Sequence, residues 1–293
     1  MSIKTTFTKL KPNPTKIPIV AIDVSSIQLG ETERGILLAV RGALVWKQDH
    51  YHYLRLGPFP FHITERNKDE ISCLYTHQAL CAQGNLLPNI IQVQTRLTTL
   101  LERWMQTFVN QTTHDSLILW DGSLMAGSSE TPVPAMEKML KEARNRQNTI
   151  LAFSKVTRLL FNGQRITDLI RKNSPPCMLK IENYPKIAGP MSFLGDVYVA
   201  KLSRGSCAFR LDMDKQLLKS HAVDAVQKLL GNDLILQSYP ETLRLAHIFS
   251  TFTANEVLGL QRCVAKESNV KIVTKLNVRR LLFGCFGKGP EGT

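Results

Sequence analysis

The stretch 116–127, SLILWDGSLMAG, decides how this chain folds. Leu117, Ile118, Leu119 and Trp120 make an apolar run too short for a normal helix, so they read as a strand covered on both faces. The run delivers a carboxylate, Asp121, straight into Gly122 and Ser123. Asp-Gly is common turn chemistry, and a turn is the plain reading. The sharper reading is a site, because ligands in open α/β sheets gather at the carboxyl ends of strands.

Working outward, the preceding segment 86–110 carries apolar residues at 90, 93, 97, 101, 104 and 108, a helical period. Before it, IPIVAIDVSS (17–26), GILLAVRGALVWK (35–47) and HYHYLRLGPFPFHI (50–63) are separated by short polar breaks, which predicts an antiparallel meander. After Asp121, residues 134–147 read as a helix with Met136, Met139, Leu140 and Ala143 on one side, and 149–160 as a strand. Three meandering strands, a helix, a strand, a helix and a strand follow the order of the ribonuclease H-like α/β fold, a mixed sheet flanked by helices. That fold brings the ends of its first and fourth strands together, where Asp23 and Asp121 stand.

Further along, RKNSPP (171–176) reads as a loop, and MSFLGDVYVAKLS and SCAFRLDMD as two extra strands. A helix is expected at about 214–230, and a last one from SYPETLRLAHIF, with Pro240 at its first position. The expected organisation is an N-terminal arm at 1–16, one domain at 17–283 and a flexible tail at 284–293.

Composition sets the class of partner. The chain has 293 residues, 43% hydrophobic and 21% charged, as expected of a soluble globular protein. No run approaches the ~18 apolar residues of a membrane span, and MSIKTTFTKLKPNPTKIP has no apolar signal core. The six cysteines show no C-x-x-C spacing, which argues against structural zinc and a disulfide framework and suits a reducing cytoplasm. Lys and Arg number 37 against 24 Asp and Glu, a net +13 that favours a polyanionic partner. Residues 262–288 concentrate Arg262, Lys266, Lys271, Lys275, Arg279, Arg280 and Lys288 around one acid, Glu267. Lys271, Lys275, Arg279 and Arg280 are the candidate nucleic-acid contacts.

Hydrolysis of a phosphodiester by two metals requires clustered hard oxygen ligands, and one short peptide cannot surround two cations. Asp23 and Asp121 supply a central pair; a third carboxylate is expected from the helix between them and a fourth ligand from a late helix. With these motifs in order, the chain resembles the NurA family of DNA nucleases over about residues 17–255. AIDVSS is similar to the family's first motif, LWDGSL to its second acidic motif, FSKVTRL to the strand that follows, and YPETLRLAH to its late Tyr-Pro and Ala-His segment.

The resemblance implies Asp23, Glu102, Asp121 and His247 as metal ligands, with Tyr239 and Lys155 completing the catalytic set. It implies Mn²⁺ or Mg²⁺, two ions in all. It further implies exonuclease action from 5′ ends, single-strand endonuclease action, a ring-like homodimer, and work on DNA beside a HerA-type hexameric ATPase translocase. One departure is Val24, where the family usually has Gly after the first Asp.

Each candidate also has a structural reading. Glu102 stands about 100° from Leu101 at the margin of the apolar stripe, and Glu70 replaces it if the helix register differs. His247 lies away from Leu245, Ile248, Phe249 and Phe252, on a side where a histidine is usually solvated or hydrogen-bonded. Tyr239 suits the packing of a helix start, and Lys155 an exposed cation. GCFGKG (284–289) lacks the Ser or Thr of a phosphate loop. His50 and His52 share a strand face but have no third ligand, and Asp212 and Asp214 read as helix-start residues.

Overall fold

The computed structural model describes residues 4–67, 70, 90–128, 130–161, 163–182, 191–267 and 271–273. Nine principal strands are β1 (Lys4–Lys9), β2 (Ile19–Glu31), β3 (Gly35–Lys47), β4 (Tyr51–Thr64), β5 (Leu117–Asp121), β6 (Thr149–Ser154), β7 (Cys177–Glu182), β8 (Gly195–Lys201) and β9 (Phe209–Asp214). They form one sheet in the order β1-β7-β8-β9-β6-β5-β2-β3-β4. The pairs β2–β5 and β5–β6 are parallel, and all others are antiparallel. The chain therefore has the expected mixed ribonuclease H-like sheet, extended beyond β6 by four antiparallel strands.

Alternation along the central strands divides the core into two layers, because successive side chains point to opposite faces. Ile19, Ala21, Leu117 and Leu119 face α3 (Lys219–Asn232) and α4 (Glu241–Ser250), meeting Val226, Leu229, Leu243 and Ala246. Val20, Ile22, Ile118 and Trp120 face α1 (Ile90–Thr112) and α2 (Val133–Asn145), meeting Met105, Val109, Met136 and Leu140. Each fully buried large aliphatic contributes about 1.5–3 kcal/mol. Both layers are thick enough to bury β5 on both sides, as its unbroken apolar run predicts.

Helix α1 lies low on the sheet because of Gly42. A Cβ there would stand 2.3 Å from Met105 Sδ. Gly42 pairs with Val24 across β2 and β3, one residue beyond Asp23. The branched side chain of Val24 packs against Leu101, so it serves the contact between α1 and the sheet.

Several elements differ from the sequence reading. Within the N-terminal arm, Lys4–Lys9 forms β1 and pairs with β7, which itself lies in a region given no strand. The strand expected over 149–160 ends at Ser154, and α3 starts at Lys219 because β9 runs on to Asp214. Pro240 is the N-cap of α4 rather than its first residue. A further helix, α5 (Ala254–Glu267), follows the one expected to be last. The core-facing stripe of α1 includes Val93, Leu97, Met105 and Val109, whereas Trp104 and Phe108 stack on each other in solvent with centroids 5.7 Å apart. The 284–289 segment and the tail lie outside the described residues. Among the described residues, no helix is long and apolar enough to cross a membrane.

Candidate metal centre

Parallel pairing aligns Ile22 with Trp120, so the next residues, Asp23 and Asp121, reach the same sheet end on the same face. Asp121 closes β5, and Gly122 turns the chain away with φ +138°, a conformation that L side chains rarely adopt. Gly122 N–H donates to Phe153 O at 2.7 Å, and Ser154 Oγ donates to Gly122 O at 2.6 Å. The two readings of Asp-Gly are compatible: the turn fixes the peptide while the carboxylate stands beside Asp23.

Helix α4 supplies the third group. Its buried residues are Glu241, Thr242, Leu243, Ala246 and Ser250, while Ile248 is exposed, and His247, itself exposed, stands at the margin of the buried side. Small residues there allow a close approach. His247 Nδ1 lies 3.1 Å from Asp23 Oδ2, and Ser250 Oγ donates to the same oxygen. Ser25 Oγ lies 2.9 Å from Ser250 Oγ. Since a hydroxyl has one proton, a Ser250 that donates to Asp23 accepts from Ser25.

Ligand atoms of Asp23, Asp121 and His247 all lie within 4.8 Å of one another. Two hard carboxylates and an imidazole form a donor set suited to Mn²⁺ at least as well as Mg²⁺, since nitrogen is a poorer magnesium ligand. Burial raises the pKa of Asp23, and the neighbouring Asp121 charge raises it further, against the lowering effects of Ser250 and His247.

Glu102 lies outside that tight trio but within its field. Burial raises its pKa, with further upward contributions from Asp23 and Asp121, opposed mainly by Arg103. Gln106 Nε2 donates to Glu102 Oε1 at 2.9 Å, and Arg103 donates to Gln106 in turn. Glu102 thus arrives from the opposite layer, as a carboxylate electrostatically coupled to both aspartates. Glu70 is exposed and is not one of the trio.

On the rim, Lys155 Nζ lies 2.6 Å from Asp121 Oδ2 and 5.6 Å from the centre of the Tyr239 ring. Tyr239 is buried, and its hydroxyl has no hydrogen-bond partner. Burial and the charges of Asp121 and Asp23 push its pKa upward, so it stays protonated at neutral pH. A buried phenol left without a partner carries a desolvation cost.

Other sequence candidates fall elsewhere. Asp212 and Asp214 do not start a helix: both lie on β9, Asp212 against Arg210 and Asp214 against Arg144. Asp212 also accepts the Leu124 N–H at 3.0 Å, which ties down the loop after Asp121. His52 stacks on Trp46, centroids 5.8 Å apart. Lys271 precedes the bridge between Val273 and Glu31. Glu31 is eight residues beyond Asp23 on β2, roughly 25 Å along the strand at ~3.3 Å per residue. Lys275, Arg279 and Arg280 lie outside the described residues. Ser25 and Ser250 were missed; both flank the quoted motifs, but a serine carries no sequence signal for supporting a particular carboxylate.

No protein-family model and no curated protein matches the chain. Among solved structures, a substituted Endonuclease V from Ciona intestinalis bound to inosine-containing DNA aligns at TM-score 0.42 and 9% identity, over 86% of this chain and 91% of that one. The catalytic domain of human Endonuclease V aligns at TM-score 0.42 and 10% identity, over 89% and 91%. The NurA nuclease from Sulfolobus solfataricus aligns at TM-score 0.55 and 16% identity, over 89% of this chain and 88% of that one. The fold of this chain is that of the NurA nuclease structure.

Proposed function

We propose that the chain is a divalent-metal-dependent nuclease acting on DNA. The observation that carries this reading is the convergence within 4.8 Å of Asp23 and Asp121, just beyond the parallel pairing of β2 and β5, with His247 of α4. The net charge of +13 supports a polyanionic substrate. The shared fold with a nuclease supports the same class of chemistry.

In this reading Asp23, Asp121, His247 and Glu102 hold two ions, Mn²⁺ or Mg²⁺. Bound there, the metal supplies Lewis-acid polarisation of the phosphodiester and a water activated near neutral pH. Ser250 orients Asp23 by donating to Oδ2. The Lys155 ammonium, on the rim beside Asp121, holds the scissile phosphate. Tyr239 offers its unpartnered hydroxyl to an oxygen of the substrate. The finer features implied by the NurA resemblance belong to the same proposal: 5′-end exonuclease and single-strand endonuclease action, a homodimer, and a HerA-type translocase partner.

The test uses purified protein with labelled single-stranded DNA, duplex DNA and RNA, in Mn²⁺, Mg²⁺ or EDTA. The expected result is DNA cleavage with metal and none with EDTA, while Asp121→Ala binds without cutting. Preference for RNA would replace the substrate class. Binding without cutting by wild type, even with a translocase added, would establish a DNA-binding adaptor instead.

A further inference from the structure

The segment that leaves β6 combines exposed cations with an exposed aliphatic side chain. Its first residue is Lys155, at the Asp121 carboxylate. Val156 follows, about 3.8 Å away between Cα atoms. Its side chain is 84% exposed, the highest value among the large hydrophobics described as exposed. Residues 154–167 contain Lys155, Arg158 and Arg165 and no acidic residue. Arg158 and Arg165 are exposed.

The segment is anchored from behind. Leu159 and Phe161 pack against the cluster of Ile166, Ile170, Cys177 and Leu179. Leu160–Phe161 pairs antiparallel with Gln164–Arg165, and Ile166 N–H donates to Leu159 O at 3.2 Å. At its start, the Ser154 hydroxyl holds Gly122 O, so the segment is fixed to the same turn that presents Asp121. A segment that displays Val156 between Lys155 and Arg158 and leads into a supported hairpin alternates apolar and positive groups. A DNA strand alternates base faces with phosphates in the same way.

We infer that residues 155–161 and 163–165 grip the DNA strand next to the scissile phosphate, with Val156 packing on a base face and Arg158 and Arg165 contacting backbone phosphates. This rests on the nuclease reading and adds to it a contact surface with no counterpart among the metal donors. It also predicts that the base adjacent to the cut must be accessible, which single-stranded DNA or a frayed end provides and an intact duplex does not.

The experiment measures equilibrium binding of fluorescein-labelled single-stranded DNA by anisotropy in EDTA, where no cutting occurs. Wild type is compared with Val156→Ser and Arg158→Ala, with thermal melts to verify that each variant is folded. Val156→Ser is expected to weaken binding about 5-fold, at the lower end of base-packing effects. Arg158→Ala is expected to reduce the salt dependence by about one counterion. An abasic residue is then walked along the strand. At one position it should weaken wild type but leave Val156→Ser unchanged, which marks the contacted base. Equal binding by wild type and both variants at every position overturns the inference and leaves the nuclease reading standing. Failure of wild type to bind single-stranded DNA overturns the inference as well, while the nuclease reading is decided separately by cleavage with metal.

Discussion

Lys155 Nζ lies 2.6 Å from Asp121 Oδ2, so an ammonium engages the carboxylate that belongs to the candidate metal trio. A divalent ion must compete with this pair. The pair is partly exposed, which limits its strength to about 1 kcal/mol or less. Lys155→Met is therefore expected to tighten Mn²⁺ binding by about 2–5-fold. Cleavage should slow at the same time, because the phosphate loses its cation. Calorimetric titration of metal paired with single-turnover cutting separates the two effects; weaker metal binding in the variant would contradict the competition.

Burial raises the pKa of Asp23 above its ordinary 3.8. A carboxyl whose folded value is raised contributes stability that is fully present below its unfolded pKa and lost as pH rises through the folded one. Metal-free protein should therefore lose this contribution as pH rises above 3.8 and through the folded value. Asp23→Asn should raise the melting temperature in EDTA at pH 7 by about 2–4 °C if ~1 kcal/mol is recovered. Added Mn²⁺ should stabilise wild type increasingly as pH rises, because ligation requires the ionised carboxylates. Differential scanning calorimetry across this range provides the check.

Ser250 is fully buried and shares Asp23 Oδ2 with His247. Removing its hydroxyl leaves Asp23 oriented by the histidine alone. Ser250→Ala is expected to lower metal affinity about 10-fold, the scale seen for groups that orient metal ligands. Ser25→Ala, one step further out, should have a smaller effect. Equal metal affinity in wild type and Ser250→Ala would show that His247 suffices.

Glu256 joins α5 to the sheet. It accepts the Thr253 N–H at 2.9 Å and pairs with Arg41 at 3.0 Å and Arg55 at 2.8 Å. The Thr253 backbone hydrogen bond and the two arginines pull its pKa down to about 2. A depressed carboxyl gives stability that is present above its unfolded value, 4.5, and lost as pH falls through the folded one. Glu256→Gln should therefore lower the urea midpoint at pH 7 and differ less from wild type near pH 3. A gap that widens on acidification would contradict this account.

The elements legible in the sequence were those with a strong local pattern. The apolar runs of β2, β3 and β5 and the helical period of α1 identified the meander and the crossover, and their order placed Asp23 beside Asp121. Strands β1 and β7 were missed because KTTFTK has a single apolar residue and Lys180 interrupts CMLKIE, and their pairing links residues far apart in sequence. The core face of α4 was hidden for a different reason. Its larger side chains, including Ile248, look like a stripe, but Leu243, Ala246 and Ser250 are what the sheet accepts. In α1, Trp104 and Phe108 drew the stripe one position aside, and the close seat at Gly42 selected Met105 instead. Asp214 misled because an acid before a helix resembles a cap, whereas Arg144 from another element neutralises it within a strand.

The donors gather from distant parts of the sequence, with Asp23 and His247 separated by 224 positions. During synthesis, a nascent polypeptide that has already emerged beyond Asp121 possesses both aspartates but no imidazole. The cluster becomes complete only when α4 settles onto the finished central strands. Unfinished chains on the ribosome, surrounded by nucleic acid, therefore lack the full set of ligands until residue 247 has been made.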